Sequence, residues 1–182
     1  MPARRIAHAM VALHGKLYLV GGIIGGRAPN ETWSFDPTSG RWDATLASIP
    51  TYREHLAATT VGDQAWVIGG RETRPLPTVE VYDPATDSWR MGPPLPAGRG
   101  GHTAATVDGT IHVTGGEDWE LNRTWPTHFA LDPGASTWIR LPDMPTSRHG
   151  LASGGINGQW IVVGGGRGPF VNISDVVEIY KP

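Results

Sequence analysis

The chain has 182 residues, and its 25 glycines and 16 prolines interrupt helices too often for an all-helical fold. Its 15 basic and 17 acidic side chains give a net charge of -2, which offers no electrostatic footprint for nucleic acid or an anionic membrane. Cysteine is absent, which excludes disulfides, thiol catalysis and thiolate metal sites. No apolar run reaches the roughly 18 residues that cross a bilayer. We therefore expect a soluble cytoplasmic protein that binds neither nucleic acid nor membrane.

The N-terminal segment has a superficial likeness to a secretory signal, because Arg4 and Arg5 precede an apolar stretch. His8 and His14 interrupt that stretch. We predict instead that the segment opens the first of several repeats.

Four short signals recur along the chain with one shared period. Glycine pairs follow apolar runs at Gly21-Gly22, Gly69-Gly70, Gly115-Gly116 and Gly164-Gly165, which lie 48, 46 and 49 residues apart. Triplets ending in proline follow at Phe35-Asp36-Pro37, Tyr82-Asp83-Pro84, Leu131-Asp132-Pro133 and Tyr180-Lys181-Pro182. Tryptophans come seven residues after the start of the first three triplets, at Trp42, Trp89 and Trp138. Histidines recur every 47 residues at His8, His55, His102 and His149. The shared period predicts a repeated structural unit.

The second unit shows what one repeat contains. Short runs rich in β-branched and aromatic residues alternate with turn residues, which predicts strands over 55–61, 64–68, 79–82 and 88–91. Each unit is then a four-stranded antiparallel sheet that cannot bury both of its apolar faces alone. Stacked sheets of this length predict the blades of a β-propeller.

The glycine pair, the Tyr-Asp-Pro turn and the tryptophan that follows it resemble the kelch repeat, over essentially the whole chain. The resemblance implies an all-β propeller with strand one of each blade at the central axis and strand four at the rim. Leu131 in place of the aromatic residue and Lys181 in place of the turn aspartate depart from the pattern.

The repeats divide the single domain, residues 1–182, into units of approximately 3–50, 51–96, 97–145 and 146–182. The last unit has no segment for an outer strand. We therefore expect a partial or open propeller, possible self-association through its open ends, and as alternatives a four-bladed ring or completion by a second copy.

The predicted meander puts the loops between strands two and three on one face, together with the starts of the first strands. Those loops cover 23–30, 71–78, 117–123 and 167–172. Variable loops on a rigid scaffold predict a binding face for a protein or a small polar ligand. The candidate binding residues are Arg53, Arg71, Arg74, Arg99, Glu117, Trp119, Arg148 and Arg167. The alternative for the arginines that begin the first strands is a structural pairing with acidic or backbone groups between blades.

The four histidines invite a metal-ring hypothesis, and their equal spacing predicts equivalent positions in successive blades. A ring around a channel holds such side chains too far apart to share an ion, so we expect structural histidines and neither a metal nor a cofactor. Three Asn-x-Ser/Thr sequences before the third strands are explained by turn formation.

Function remains open between two classes at this point. Some proteins with kelch-like propellers are copper-radical oxidases, whose Tyr–Cys crosslink this chain cannot form because it has no cysteine. It also includes sialic acid epimerases, for which Glu54, Glu117, Glu120 and His55 are the candidate acid–base groups. No phosphate loop, serine elbow or zinc motif accompanies them. We predict a non-enzymatic binding scaffold with no catalytic residues, and keep a sugar epimerase or mutarotase as the alternative.

Overall fold

The computed structural model describes residues 1–170 and 172–182. Every regular element in this part of the chain is a β-strand. Across the same residues, no helical segment has the length and hydropathy of a membrane span.

Four antiparallel sheets follow one another along the chain, and we call them blades 1 to 4. Blade 1 contains β1 (Ala9–Leu13), β2 (Lys16–Val20), β3 (Thr32–Asp36) and β4 (Arg41–Leu46). Blade 2 contains β5 (Ala57–Val61), β6 (Gln64–Ile68), β7 (Val79–Asp83) and β8 (Ser88–Met91). Blade 3 contains β9 (Gly100–Val107), β10 (Thr110–Asp118), the short β11 (Arg123–Thr124), β12 (His128–Leu131) and β13 (Ile139–Leu141). Blade 4 contains β14 (Ala152–Ile156), β15 (Gln159–Val163) and β16 (Val177–Tyr180).

The predicted propeller of four-stranded blades is confirmed, including the last blade with three strands. The first strands of successive blades pack side by side, β1 on β5, β5 on β9 and β9 on β14, so strand one is innermost. The added strand β11 pairs with the extended end of β10 inside the blade 3 loop.

Because successive side chains of a strand lie on opposite faces of the sheet, an inner blade packs apolar side chains against both of its neighbouring blades. Val67 packs against Ala9 and Val20 of blade 1, whereas Trp66 and Ile68 belong to the cluster shared with blade 3. That second cluster contains Ile111, Val113, Phe129, Leu131 and Trp138. Burying each such side chain contributes about 1.5–3 kcal/mol. The blades therefore stabilise one another through both faces of each inner blade.

The two end blades each leave one sheet face uncovered. Met10 on blade 1 is exposed, and so are Val163, Val177 and Ile179 on blade 4. Each of these side chains points away from the neighbouring blade that covers the opposite face. Within the described residues, no further blade covers these two surfaces.

The glycine pairs make backbone hydrogen bonds between neighbouring blades. The second glycine of each of the first three pairs donates its amide to a carbonyl of the next blade, at 2.9 to 3.0 Å. The pairs are Gly22 to Arg53, Gly70 to Arg99 and Gly116 to Arg148. A Cβ on the neighbouring Gly21, where φ is 64°, would lie 2.6 Å from the Arg53 carbonyl oxygen of blade 2. Only glycine permits this approach between blades.

A second series of backbone hydrogen bonds joins the blades close to the axis. His55 donates its amide to Ala7, Gly101 donates to His55, and Gly150 donates to Gly101. All four residues have left-handed backbones, with φ between 50° and 66°. They are therefore the equivalent residues of the four blades.

The expectation that the four histidines are equivalent is wrong. His55 occupies the left-handed position itself, His8 and His102 follow it, and His149 precedes it. The repeats differ in length by one to three residues, and the histidines lie at correspondingly different places within them. The two differences compensate, so the histidine spacing is constant. Equal spacing in the sequence is therefore not equal position in the blade.

Candidate binding face

The arginines at the starts of the first strands have their side chains inside their own blades. Arg53, Arg99 and Arg148 are no more than 1% exposed. Arg99 Nη1 donates to the carbonyl oxygens of Gly115 and Thr127 at 3.2 and 3.1 Å. Burial lowers the pKa of Arg99 to about 10, although Asp143 raises it, so the group stays charged at neutral pH.

Arg53 and Arg148 make the same kind of contact with an added acidic partner. Arg53 donates to Glu80 and to the Val67 carbonyl, and Arg148 donates to Glu178 at 2.7 Å and to the Gly164 carbonyl at 2.6 Å. These guanidinium groups hold the second and third strands of a blade together. The structural pairing weighed from the sequence lies within blades, not between them.

The loop face is the surface formed by the loops between strands two and three and by the starts of the first strands. Its centre is built from equivalent backbone positions in the four blades. The residue after each glycine pair forms an antiparallel bridge with the residue before the left-handed position. These bridges are Ile6 with Ile23, Glu54 with Arg71, Gly100 with Glu117, and His149 with Gly166.

Because the blades differ at these positions, the centre carries an asymmetric charged group, the axial cluster of Glu54, His55, Arg71, Glu117 and His149. Arg71 Nε lies 2.5 Å from Glu54 Oε1, and Arg71 Nη1 lies 2.7 Å from Glu117 Oε1. His149 Nδ1 lies 3.5 Å from Glu117 Oε1. Arg71, Glu54 and Glu117 are each less than 9% exposed.

Burial and neighbouring charges shift the proton affinities in the cluster. Burial, together with Arg71 and His149, lowers the pKa of His55 to about 4, despite the opposing charge of Glu117. Burial alone would raise the pKa of Glu117, but hydrogen bonds from Arg71, Trp119 and the Phe170 amide lower it overall. At neutral pH, His55 is therefore neutral and Glu117 is ionised.

Aromatic side chains extend the cluster towards solvent. The Arg71 guanidinium lies 3.6 Å from the centre of the Trp119 ring, and Phe170 stacks on Trp119 with ring centres 6.1 Å apart. Trp119 is nevertheless 44% exposed. Arg71 and Phe170 thus fix the orientation of a tryptophan whose remaining surface is available to a ligand.

A groove of about 510 Å³ runs beside Trp119, and we call it the loop groove. Its walls come from three blades: Ile23 and Arg27 of blade 1, Tyr52, Glu54 and Glu72 of blade 2, and Trp119 of blade 3. A smaller cleft beside it is lined by Arg74, Glu117 and Glu120.

Among the eight predicted binding residues, Trp119 lines the loop groove, and it also lines the smaller cleft beside it, together with Arg71, Arg74 and Glu117. The side chain of Arg167 is exposed, and its carbonyl accepts a hydrogen bond from Thr124 at 3.1 Å. The predicted loop 167–172 includes residue 171, which lies outside the described residues. Arg53, Arg99 and Arg148 lie in blade interiors.

Tyr52 is not among the residues predicted from the sequence, and Glu54 is among them only as an acid–base group of the epimerase alternative. Aligning the repeats by the glycine pairs would have found Glu54, because it bridges the residue after such a pair. Nothing in the repeat pattern singles out Tyr52. Metal binding gains no support here, since the described residues contain no group of three or more potential metal ligands.

Comparison with known proteins agrees with this architecture. Residues 1–116 match a family described as the KLHDC2/KLHL20/DRC7 Kelch-repeats domain. Kelch-like protein 36 of Bos taurus is 31% identical over 127 residues, which cover 66% of this chain and 20% of the relative. Kelch-like protein 35 of Mus musculus is 35% identical over 114 residues, covering 62% of this chain and 20% of the relative.

The name of a less similar relative joins kelch repeats to another domain. Kelch repeat and BTB domain-containing protein 12 of Homo sapiens is 27% identical over 139 residues, covering 64% of this chain and 22% of the relative. The chain spans about a fifth of the length of the curated relatives it matches. With the family match covering more than half of the chain and the propeller of glycine-paired blades in place, the chain belongs to the kelch-repeat family.

Proposed function

We propose that this chain is a non-enzymatic scaffold that binds a protein segment on its loop face. The observation that carries the proposal is the set of exposed large apolar side chains on the loop face, of which Tyr52 and Trp119 line the loop groove. They are Ile6, Tyr52, Trp119, Leu121, Phe170 and Ile173.

Exposed aromatic and aliphatic side chains beside a groove are typical of protein-binding surfaces. Tyr and Trp are also the residues that most often anchor such contacts. The rigid blades hold them without the entropic cost of ordering a mobile surface. Relatives whose names join kelch repeats to a BTB domain or an F-box are consistent with a binding module that operates beside other domains.

The chemistry of the axial cluster weighs against the sugar epimerase alternative. A general acid or base works best when its pKa lies near the operating pH. The pKa of His55 is about 4, and the pKa of Glu117 is below its ordinary value because Arg71 and two further donors stabilise its charge. These groups are arranged for a stable ion-pair network. Anomeric exchange of sialic acid, followed by NMR with and without the protein, should show no acceleration.

Selection of random 12-residue peptides on the full chain tests the binding proposal. Selected peptides should lose at least tenfold in affinity for Trp119→Ala or Tyr52→Ala, as expected when an aromatic anchor worth about 2 kcal/mol is removed. The control is Met91→Ala, which removes an even more exposed apolar side chain from the outer strand of blade 2. Equal losses in all three variants, or binding that none of them changes, would place recognition elsewhere and reject the loop face.

A further inference from the structure

The contact between blades 2 and 3 shows what each side of a blade junction contributes. On the blade 2 side, Ile68 pairs with Val79 across β6 and β7. On the blade 3 side, Val113 pairs with Phe129 across β10 and β12. All four side chains belong to one apolar cluster and are no more than 9% exposed. A junction therefore joins two different apolar faces.

The uncovered face of blade 4 repeats the face that blade 2 presents to blade 3. Val163 precedes a glycine pair and pairs with Val177 across β15 and β16, as Ile68 does with its own partner in blade 2. Ile179 follows on the same face of β16. These three side chains are 42 to 55% exposed. The face has the composition of a blade junction but, within the described residues, no blade against it.

The uncovered face of blade 1 repeats the other side of the junction. Leu19 pairs with Trp33 across β2 and β3, at the place that Val113 and Phe129 occupy in blade 3. Both are already buried within blade 1. Met10, which pairs with Leu19, is 55% exposed. The half-buried side chains that continue this face are Leu17, Phe35 and Trp42.

The last glycine pair keeps space for a further blade. At the first glycine of the other three pairs, a Cβ would lie 2.6 to 3.1 Å from the carbonyl oxygen of an arginine in the next blade. Near Gly164, the closest atom of this kind is the Ser174 carbonyl oxygen of the same blade, at 3.7 Å. Arg5 of blade 1 is the equivalent of those arginines, because it too donates to the carbonyl of the first glycine in its own blade.

We propose that two copies of this chain associate head to tail, with blade 4 of each copy packed on blade 1 of the other. A second copy fits because it presents the matching apolar face and brings its Arg5 carbonyl to Gly164. Two such contacts close a ring of eight blades, within the usual range of propellers. A head-to-tail contact that closes in this way limits the assembly to two copies. The association does not depend on what the loop face binds.

Sedimentation of the full chain over a wide range of concentration tests the proposal, and the unmodified chain should have the mass of two copies. Ile179→Lys should raise the dissociation constant at least about hundredfold, because the ring contains the substituted contact twice. Ile139→Lys is the matched control, since Ile139 is 60% exposed on the outer strand of blade 3 and Ile179 is 54% exposed. The control should associate like the unmodified chain.

Mixing two variants tests the head-to-tail arrangement itself. Met10→Glu should also dissociate the ring, because it changes the other side of the same contact. An equimolar mixture of Met10→Glu and Ile179→Lys should associate again, since one of its two contacts is unmodified and the other joins opposite charges. This recovery would also show that both variants are folded.

Four results would overturn the proposal. They are an unmodified chain that sediments as a single copy, an association that Met10→Glu or Ile179→Lys leaves unchanged, no recovery on mixing, and assemblies that grow beyond two copies. Association that survives Met10→Glu but not Ile179→Lys would mean that blade 4 pairs with blade 4.

Discussion

Arg71 of blade 2 and Glu117 of blade 3 meet at the axis, with Nη1 2.7 Å from Oε1, and Arg71 also reaches back to Glu54 in its own blade. This ion triad is the point where a blade contact and the candidate binding groove coincide. A change at Arg71 should therefore affect both stability and binding.

Arg71→Met should lower the free energy of unfolding by about 3 kcal/mol, because it leaves two buried carboxylates without their shared cation. Urea denaturation measures the loss. Arg74→Met is the matched control, since Arg74 is exposed three residues further along the same loop. We expect the control to change the free energy of unfolding by less than about 0.5 kcal/mol. Similar losses for both variants would contradict a structural role for the triad.

Ala7→Gly should stabilise the protein by about 1 kcal/mol, because Ala7 has a left-handed backbone with φ of 54°. Gly101 and Gly150 already occupy the equivalent position in blades 3 and 4. Thermal and urea unfolding of the variant measure the gain. The reverse change, Gly150→Ala, places a Cβ in open space at φ of 63° and should cost a similar amount. A loss of stability in Ala7→Gly would show that the alanine methyl group matters more than the backbone conformation.

Gly22→Ala should destabilise the protein by more than Gly62→Ala. Both residues have positive φ, but a Cβ on Gly22 meets the Ile6 carbonyl oxygen at 2.5 Å, whereas Gly62 has open space around it. The backbone strain alone costs about 1 kcal/mol, and the clash adds to this only at Gly22. Comparing the two urea midpoints isolates the cost of moving the Gly22 backbone away from Ile6 and His8 at the start of the first strand of blade 1. Equal midpoints would mean that this segment of blade 1 can shift away freely.

The stability of the protein should fall as the pH drops from about 6.5 towards 3. Burial, the nearby Arg99 and the more distant Arg53 lower the pKa of His102 to about 3, although its hydrogen bond to Ile68 opposes the shift. In this pH range His102 therefore binds a proton in the unfolded chain but not in the folded chain, so the free energy of unfolding declines with falling pH. Above pH 6.5 both states are neutral at this residue, so it contributes no pH dependence there.

His102→Leu tests the assignment, because Leu56 and Leu151 occupy the same position in blades 2 and 4. Between pH 6 and 4, the slope of the free energy of unfolding against pH should decrease by up to about 1.4 kcal/mol per pH unit, the value for one proton. His55 and His128, whose pKa values are about 4, should maintain a residual slope in this variant. A slope identical to that of the unmodified chain would show that His102 titrates normally.

The sequence alone determined the architecture of this protein, because the glycine pair recurs in all four repeats and the Asp-Pro turn and tryptophan recur in the first three. Strands β6 and β8 begin and end where alternation and turn residues predict them. The shorter last blade also followed from counting residues after the fourth glycine pair. These features depend on neighbours close in the sequence or on a fixed period.

Only the tertiary structure decided which polar residues are available to a partner. Arg53 and Arg71 are both candidate binding residues in the sequence, yet the first lies within a blade and the second lies at the axis between two carboxylates. Equally spaced histidines fell at three different backbone positions, because small length differences between repeats cancel in the chain but not in space. Burial and charge balance depend on which blades meet, and a groove such as the one beside Trp119 forms only where loops from three blades converge.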